Sequence, residues 1–368
     1  MKIKSVFINK FVRNIAFKFK INDLKYVEDY DQLSTAEDIL LSDNVKKNIN
    51  IGIVKDIDSA PYYTKFERLL KKNNINYKFF NIHSANWLGD VKKFDCVIWR
   101  PLSVPWELEE AREKIYILEK YMGKVVYPSY SEILFYENKT YQYDLLKLKG
   151  FPVIDTFISY DYNECIDYIN NKLVTPCVSK IKAGSGSEGV ELVKSKSQAL
   201  SIIKKAFSDG AKTYWPFIRQ KNYIYFQSFV ENYGFDLRII VVDKDNIFGY
   251  FRNTVKNEFR ASGYGIVEKK NLPIEAVKIA LKVKEGLGFN NLAVDFLQSK
   301  VDDKFYIIEC SNFIRIDTDI QLEVSSIAGR YCYNEKEDNV TFKEGRYWIQ
   351  ELILKNLIES NFSDGKVE

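Results

Sequence analysis

Histidine is nearly missing from this chain of 368 residues, which has one, His83, in the context Asn81-Ile-His-Ser-Ala. That excludes sites needing several histidine ligands. A Ser-His or Cys-His hydrolase would depend on this one loop-like residue, and a satisfied loop histidine is the simpler reading. Cysteine is sparse: Cys96, Cys165, Cys177, Cys310 and Cys332 are scattered, with no Cys-x-x-Cys pair. An odd, dispersed set suits a reducing cytoplasm. Long apolar runs are lacking, since none approaches the roughly 18 residues of a spanning helix. Met1–Lys20 also lacks the uninterrupted apolar centre of a secretory signal. Nor is there an excess of one charge: a net +4 over this length makes no case for nucleic acid or a membrane surface. Lys, Arg, Asp and Glu are left to run the chemistry, which suits phosphoryl and acyl-phosphate transfer.

What is present is a 46% hydrophobic chain long enough for two or three domains. Residues 1–48 read as an irregular acidic and aromatic segment with a short helix near Ser34–Leu41. Strands are expected at Asn50–Val54, Tyr77–Phe80, Phe94–Trp99 and Val125–Val126, alternating with helices at Tyr62–Asn73 and Trp106–Tyr121. That alternation predicts a small parallel α/β domain, with Arg100 at the strand end where ligands meet such sheets. Arg100 is a candidate carboxylate contact or a loop salt bridge.

Beyond it, helices are expected at Asn138–Leu148, Asp161–Asn171, Gln198–Phe207 and Leu272–Leu287, with Leu200, Ile203 and Phe207 as the stripe of the third. Phe151–Ile158 reads as a strand, and Ile224–Phe251 is strand-rich with a hairpin turn at Asp243–Asn246. Tyr347–Ser360 is an amphipathic helix whose face of Ile349, Leu352, Ile353 and Leu357 either packs on the body or makes a dimer contact. The aromatic segments Tyr62-Tyr63, Trp215-Pro-Phe217 and Tyr223-Ile-Tyr225 either stack on a ligand or fill cores.

Two features carry chemistry. The first is Val178–Val190, in which a strand delivers Lys180 and a loop with Gly184, Ser185, Gly186, Ser187 and Gly189 follows. Small residues let backbone N–H groups close on a polyanion that a strand-anchored lysine also reaches. The lysine precedes the glycines, so this is neither a P-loop nor a dinucleotide fingerprint, and a flexible surface turn is the alternative. The second feature is a hairpin of two strands, Leu292–Leu297 with Asp295 and Lys304–Cys310 with Glu309, turning at Ser299–Asp303. Carboxylates inside apolar runs need compensation, by Lys or Arg or by a divalent cation. Cys310 points to the other face of its strand and packs.

In order along the chain, these residues resemble the ATP-grasp superfamily, specifically its carboxylate–amine ligases of the ribosomal-S6-modifying and glutathione-synthetase-like type. The resemblance spans about Tyr136 to Gly329. It implies an α/β fold in which two antiparallel-sheet subdomains hold ATP, behind the small parallel domain. The implied division is 1–48 extension, 49–130 first domain, 131–228 central subdomain, 229–332 C-terminal subdomain and 333–368 helix and tail.

Residue by residue, the resemblance implies that Lys139 and Lys180 bind nucleotide, with Gly184, Ser185, Gly186 and Gly189 covering phosphates. Gln227, Phe229 and Val230 form the adenine hinge, and Asp236 contacts ribose or orients Arg238. Arg252, Arg238 and Arg260 hold a carboxylate or developing oxyanion, unless they are structural ion pairs. Asp295 and Glu309 bind Mg²⁺ or Mn²⁺, with Ser311 or Asn312 as third ligand, because the family's asparagine two residues after the second carboxylate is Ser311 here. The hinge departs from the family at Ser228, the phosphate loop at Ser187, and Ile314–Leu322 replaces a Ser-Pro-Gly turn.

The implied activity joins a small-molecule, sugar or peptide carboxylate to an amine, such as that of an amino acid, through an acyl phosphate with release of ADP and phosphate, with no nucleic-acid partner and no transmembrane segment. A kinase, a ligase with another acceptor, and a nucleotide-binding protein with a degenerate metal site are the alternatives. Oligomeric state is open.

Overall fold

The computed structural model describes residues 36–46, 48–56, 61–184, 189–213, 215, 217–255, 265–314, 323–324 and 327–363. Four short strands, β1 (Asn50–Ile53), β2 (Asn76–Phe79), β3 (Cys96–Ile98) and β4 (Val125–Tyr127), form a parallel sheet in the order β2-β1-β3-β4. Helices α1 (Tyr62–Lys72), α2 (Trp87–Val91) and α3 (Pro105–Tyr116) connect them. In α1, Phe66, Leu69 and Leu70 recur at helical spacing and are wholly buried, each contributing about 1.5–3 kcal/mol of burial. Pro105 opens α3 at its first turn, where a missing N–H costs nothing. The helix then widens into a π turn over Ile117–Tyr121, so the expected Trp106–Tyr121 helix changes geometry near its end.

The short helix expected near Ser34–Leu41 does not form over described residues 36–41. Its backbone groups are taken elsewhere: Glu37 N donates to Arg346 O at 2.8 Å and Leu41 N to Asn73 Oδ1 at 2.8 Å. Tertiary partners outcompete a helix of one or two turns, whose nucleation is unfavourable.

The central part begins with α4 (Tyr130–Phe135), capped reciprocally by Ser129 and Glu132, and α5 (Lys139–Leu148), capped by Asn138. Strands β5 (Thr156–Ser159), β6 (Cys177–Ser179), β7 (Glu191–Val193) and β10 (Ile224–Ser228) form an antiparallel sheet ordered β5-β10-β6-β7. Helices α6 (Tyr162–Asn171) and α7 (Lys196–Ala206) cover it, and β8 (Ala211–Lys212) with β9 (Arg219–Gln220) make a small hairpin. The stripe of α7 is Ala199, Ile203 and Ala206 rather than Leu200, Ile203 and Phe207. The helix is rotated so that small residues meet α6, while Leu200 and Phe207 pack at the margin. The strand expected from Phe151 begins only at Thr156.

The third part is an eight-stranded sheet of β11 (Phe235–Asp243), β12 (Asn246–Asn253), β13 (Ile266–Glu268), β14 (Leu292–Gln298), β15 (Phe305–Ser311), β16 (Glu323–Val324), β17 (Ile327–Asn334) and β18 (Asn339–Glu344). Its main path runs β15-β14-β11-β12-β17-β16. One face, with Leu237, Ile239, Val294 and Phe296, packs on α8 (Ile274–Leu287). Helix α8 ends at Gly288, whose φ of +67° supplies the left-handed cap. On the other face Ile240, Val242 and Ala293 join the core of the parallel domain. The β17–β18 hairpin crosses residue 332, so the segment after that position contains strand as well as helix.

The terminal helix α9 (Ile349–Phe362) buries Ile349, Leu352, Ile353 and Leu357 against α1 and the large sheet. Of the two roles open in the sequence, packing on the body takes this face.

Candidate functional site

The uncovered end of the large sheet's second face carries charge. Alternation along β11 puts Asp236 and Arg238 on the face of Ile240, and alternation along β14 puts Asp295 beside Ala293. The strand register then aligns Arg238 with Asp295, Asp236 with Arg252, and Asp295 with Glu309. A bulge after Asp295 shifts β15 so that Ile307 and Cys310 face the core while Glu309 and Ser311 face the cleft.

Arg238 holds Asp295 in a fork, with Nε and Nη2 each 2.7 Å from a carboxylate oxygen. Arg252 Nη2 lies 2.9 Å from the same carboxylate, and its Nε donates to Asp236. Burial alone would raise Asp295, but the Arg238 and Arg252 guanidinium groups outweigh it and hold the carboxyl well below the usual range. Asp236 goes the other way, pushed up to about 6 by burial, with Arg252 opposing and Asp295 repelling.

Lys139, the first residue of α5, is 5% exposed and reaches Glu309 Oε1 at 2.8 Å and Gly184 O at 2.7 Å. Burial would lower its ammonium, but Glu309 and Glu137 outweigh that and raise it. Lys180 sits one residue past β6, with Nζ 3.4 Å from Ile308 O. Burial pulls it down to about 8, and the Lys139 charge adds to the shift while Glu309 opposes it. Four strands of the large sheet, the end of β6 and the start of α5 thus converge two lysines, two arginines and three carboxylates.

Between the sheets lies a cavity lined by Lys139, Gln142, Tyr143, Leu146, Val153, Tyr225, Gln227 and Ile307 to Glu309. Its walls mix Leu146, Val153, Ile307 and Ile308 with six polar residues, and its volume of about 10 Å³ is that of a single water. The hinge candidates flank it: Gln227 is buried, Phe229 is exposed and Val230 half-buried. Gln227 Nε2 is 3.4 Å from Thr156 Oγ1, so its side chain ties β10 to β5.

Gly189 has φ +70°, and a Cβ there would collide with Ile181, so only glycine fits. Ser311 shares the cleft face and donates to Phe313 O at 2.8 Å. Asn312 is wholly buried and exchanges amide–backbone bonds with Asn291 at 2.6 and 3.2 Å, which leave its Oδ1 without a hydrogen-bond partner. Ser185, Gly186 and Arg260 lie outside the described residues.

Sequence reasoning missed Tyr143, Gln142 and Gln220, while Tyr225 lies in β10, inside the strand-rich stretch expected from Ile224. Their signal is tertiary, apart from the alternation of β10. Arg100 lies 3.7 Å from Asp56 and over the Tyr62 and Phe313 rings. His83 is bonded to Glu110 at 2.7 Å at the surface.

The RimK-like ATP-grasp domain family matches residues 136–325. The chain belongs to the RimK-like ATP-grasp family. It is similar to the alpha-aminoadipate–LysW ligase LysX of Saccharolobus solfataricus, at 27% identity over 211 residues, covering 54% of this chain and 72% of the relative. It is 29% identical over 171 residues to the tetrahydromethanopterin:alpha-L-glutamate ligase of Methanocaldococcus jannaschii, covering 45% of this chain and 55% of that one. Among solved structures, the ATP-grasp ligase PsnB complexed with minimal precursor has a TM-score of 0.55 at 16% identity, covering 85% of this chain and 100% of that chain. That likeness concerns the fold. This ATP-grasp chain is an ATP-dependent ligase that forms carbon–nitrogen bonds. Among the described residues no helix is long and apolar enough to cross a membrane.

Proposed function

We propose that this cleft activates a substrate carboxylate with ATP and transfers the acyl group to an amine, and that the residues above divide the work. Lys139 and Lys180 neutralise the phosphates while the Gly184–Gly189 loop covers them, and the hinge of Gln227, Phe229 and Val230 takes the base. A carboxylate oxygen of the substrate attacks the γ-phosphorus as the bond to the bridging oxygen breaks, and ADP leaves. The amine nitrogen then adds to the acyl carbon, loses a proton, and phosphate departs. Arg238 and Arg252 hold the carboxylate and the developing oxyanion, to which a guanidinium fork is suited.

Asp295, Glu309 and Ser311 present oxygen donors on one face, a set that fits Mg²⁺ when phosphates and water complete the shell. Bound there, the metal supplies charge neutralisation at the transferring phosphoryl group. Among the described residues no cluster of three His, Cys, Asp or Glu offers a fuller cage, and the unpartnered Asn312 Oδ1 is the alternative to Ser311 as third ligand. Asp295 would exchange its arginines, and Glu309 its lysine, for the metal. The carboxylate is that of a small molecule, sugar or peptide, and the amine is an amino acid or another amine.

The observation that carries the reading is the register pair Asp295–Glu309 with Lys139 bridging to the loop. The test is product analysis of ATP and Mg²⁺ with pooled amino acids plus uronic and other small carboxylic acids. Wild type is run beside Asp295→Asn and Lys180→Ala. Acid-dependent ADP, phosphate and amide, lost in both variants, are expected. AMP with pyrophosphate would overturn the acyl-phosphate route, and ADP without amide would identify transfer to a non-amine acceptor.

A further inference from the structure

The backbone that leads into the glycine loop is closely held. All six backbone polar groups of Lys182, Ala183 and Gly184 have partners. Lys182 N donates to Tyr223 Oη at 2.6 Å, and Lys182 O accepts from Lys139 N at 2.9 Å. Ala183 is bonded by both ends of one amide, its N donating to Gln220 Oε1 at 3.2 Å and its O accepting from Gln220 Nε2 at 2.7 Å. Gly184 N donates to Glu137 Oε2 at 2.9 Å, and its O accepts from Lys139 Nζ at 2.7 Å. The three residues are thus bonded as a strand would be, with side chains supplying every partner except Lys139 N.

Glu137 is the unusual member. It adopts φ +52°, a left-handed conformation uncommon outside glycine. Such a backbone persists when its surroundings over-determine it. Here the following residue, Asn138, caps α5, and the Glu137 side chain reaches back to the loop. Burial raises its carboxyl above the ordinary glutamate value, with Glu309 repelling it, and the Lys139 and Arg112 charges and the Gly184 N–H bond oppose that shift only in part.

We propose that Glu137 is a positioning residue for the nucleotide reaction: its carboxylate pins Gly184 N–H, so that the loop base and Lys139 are set before ATP arrives. Gln220 performs the same service for Ala183 and ties the loop to the β8–β9 hairpin. This rests on the reading that Lys139 and the loop receive phosphates.

The experiment is calorimetry of ATP with MgCl₂ on wild type, Glu137→Gln, Glu137→Ala and Gln220→Ala, with amide hydrogen exchange at Ala183 and Gly184 in the nucleotide-free proteins. A bond to a charged acceptor sets the scale, so Glu137→Ala is expected to weaken ATP by about tenfold or more. Glu137→Gln keeps an oxygen acceptor and is expected to stay within about threefold of wild type. Exchange at Gly184 should speed up in Glu137→Ala, and at Ala183 in Gln220→Ala.

Wild-type affinity in Glu137→Ala, equal weakening in Gln and Ala, or unchanged exchange would each overturn the proposal. If Glu137→Ala does not fold, Glu137→Gln and Gln220→Ala carry the same comparison, the first near wild type and the second weakened. A wild type that binds no ATP sinks the functional reading instead, and the exchange measurements still decide the clamp.

Discussion

Replacing Asp295 by Asn removes one charge from a buried quartet that is otherwise balanced. Two carboxylates, Asp236 and Asp295, face two guanidinium groups, Arg238 and Arg252. Asp295 is 4% exposed and accepts two bonds of 2.7 Å from Arg238. Asparagine has the same shape but leaves two arginines on one carboxylate. Breaking a buried pair from one side costs about 3–5 kcal/mol, a large share of the roughly 5–15 kcal/mol that holds a domain together.

Equilibrium unfolding in urea at neutral pH reads that loss. Adding Arg238→Met restores the balance and should recover about 1 kcal/mol or more, a coupling that a double-mutant cycle isolates. The pH dependence has a definite sign. Because the folded pKa of Asp295 is depressed, its stabilisation is present above the unfolded carboxylate value and is lost as pH falls through the folded one. Wild type should therefore lose its advantage over Asp295→Asn on acidification. A single variant within about 0.5 kcal/mol of wild type, a range typical of surface substitutions, would refute the reasoning.

Lys180, brought down to about 8 by burial, is charged below that pH and neutral above it. ATP affinity should fall as pH rises through 8, with proton uptake on binding at higher pH. Calorimetry in buffers of different ionisation enthalpy measures this, and Lys180→Met should abolish it. Glu351, wholly buried against Arg68, is raised by burial from 4.5 to about 7 even though Arg68 lowers it. Its folded pKa lies above the unfolded one, so its contribution is full below 4.5 and declines as pH rises to about 7. Glu351→Gln should flatten that slope in urea midpoints taken across the interval, and an unchanged slope would refute it.

Much of this was legible in the residues. The alternating β and α pattern from Asn50 to Val126 specifies a parallel layer because each helix must cover the face its strands expose. Apolar runs ending at Asp295 and Glu309 announced a hairpin because only a short polar turn separates them. The order of Lys139, Lys180 and the glycines suggested phosphate chemistry, since backbone N–H groups and ammonium charge are what a polyanion needs. Residues 36–41 were misread because local propensity is weak beside partners such as Asn73 and Arg346, which lie far along the chain.

Local sequence by itself determined the layers, the two lysines, the loop and the carboxylate hairpin, because periodicity and turn chemistry act over a few residues. Only the tertiary structure decided which charges meet. The register of β11, β12 and β14 paired Arg238 with Asp295 and Arg252 with Asp236. A bulge after Asp295 put Ser311 on the cleft face, while Asn312 is turned toward Asn291. Glu137 gained its loop contact from a fold-back of 47 positions. Pairings of this kind depend on strand register and distant packing, and a one-residue slip turns every side chain of a strand to the opposite face.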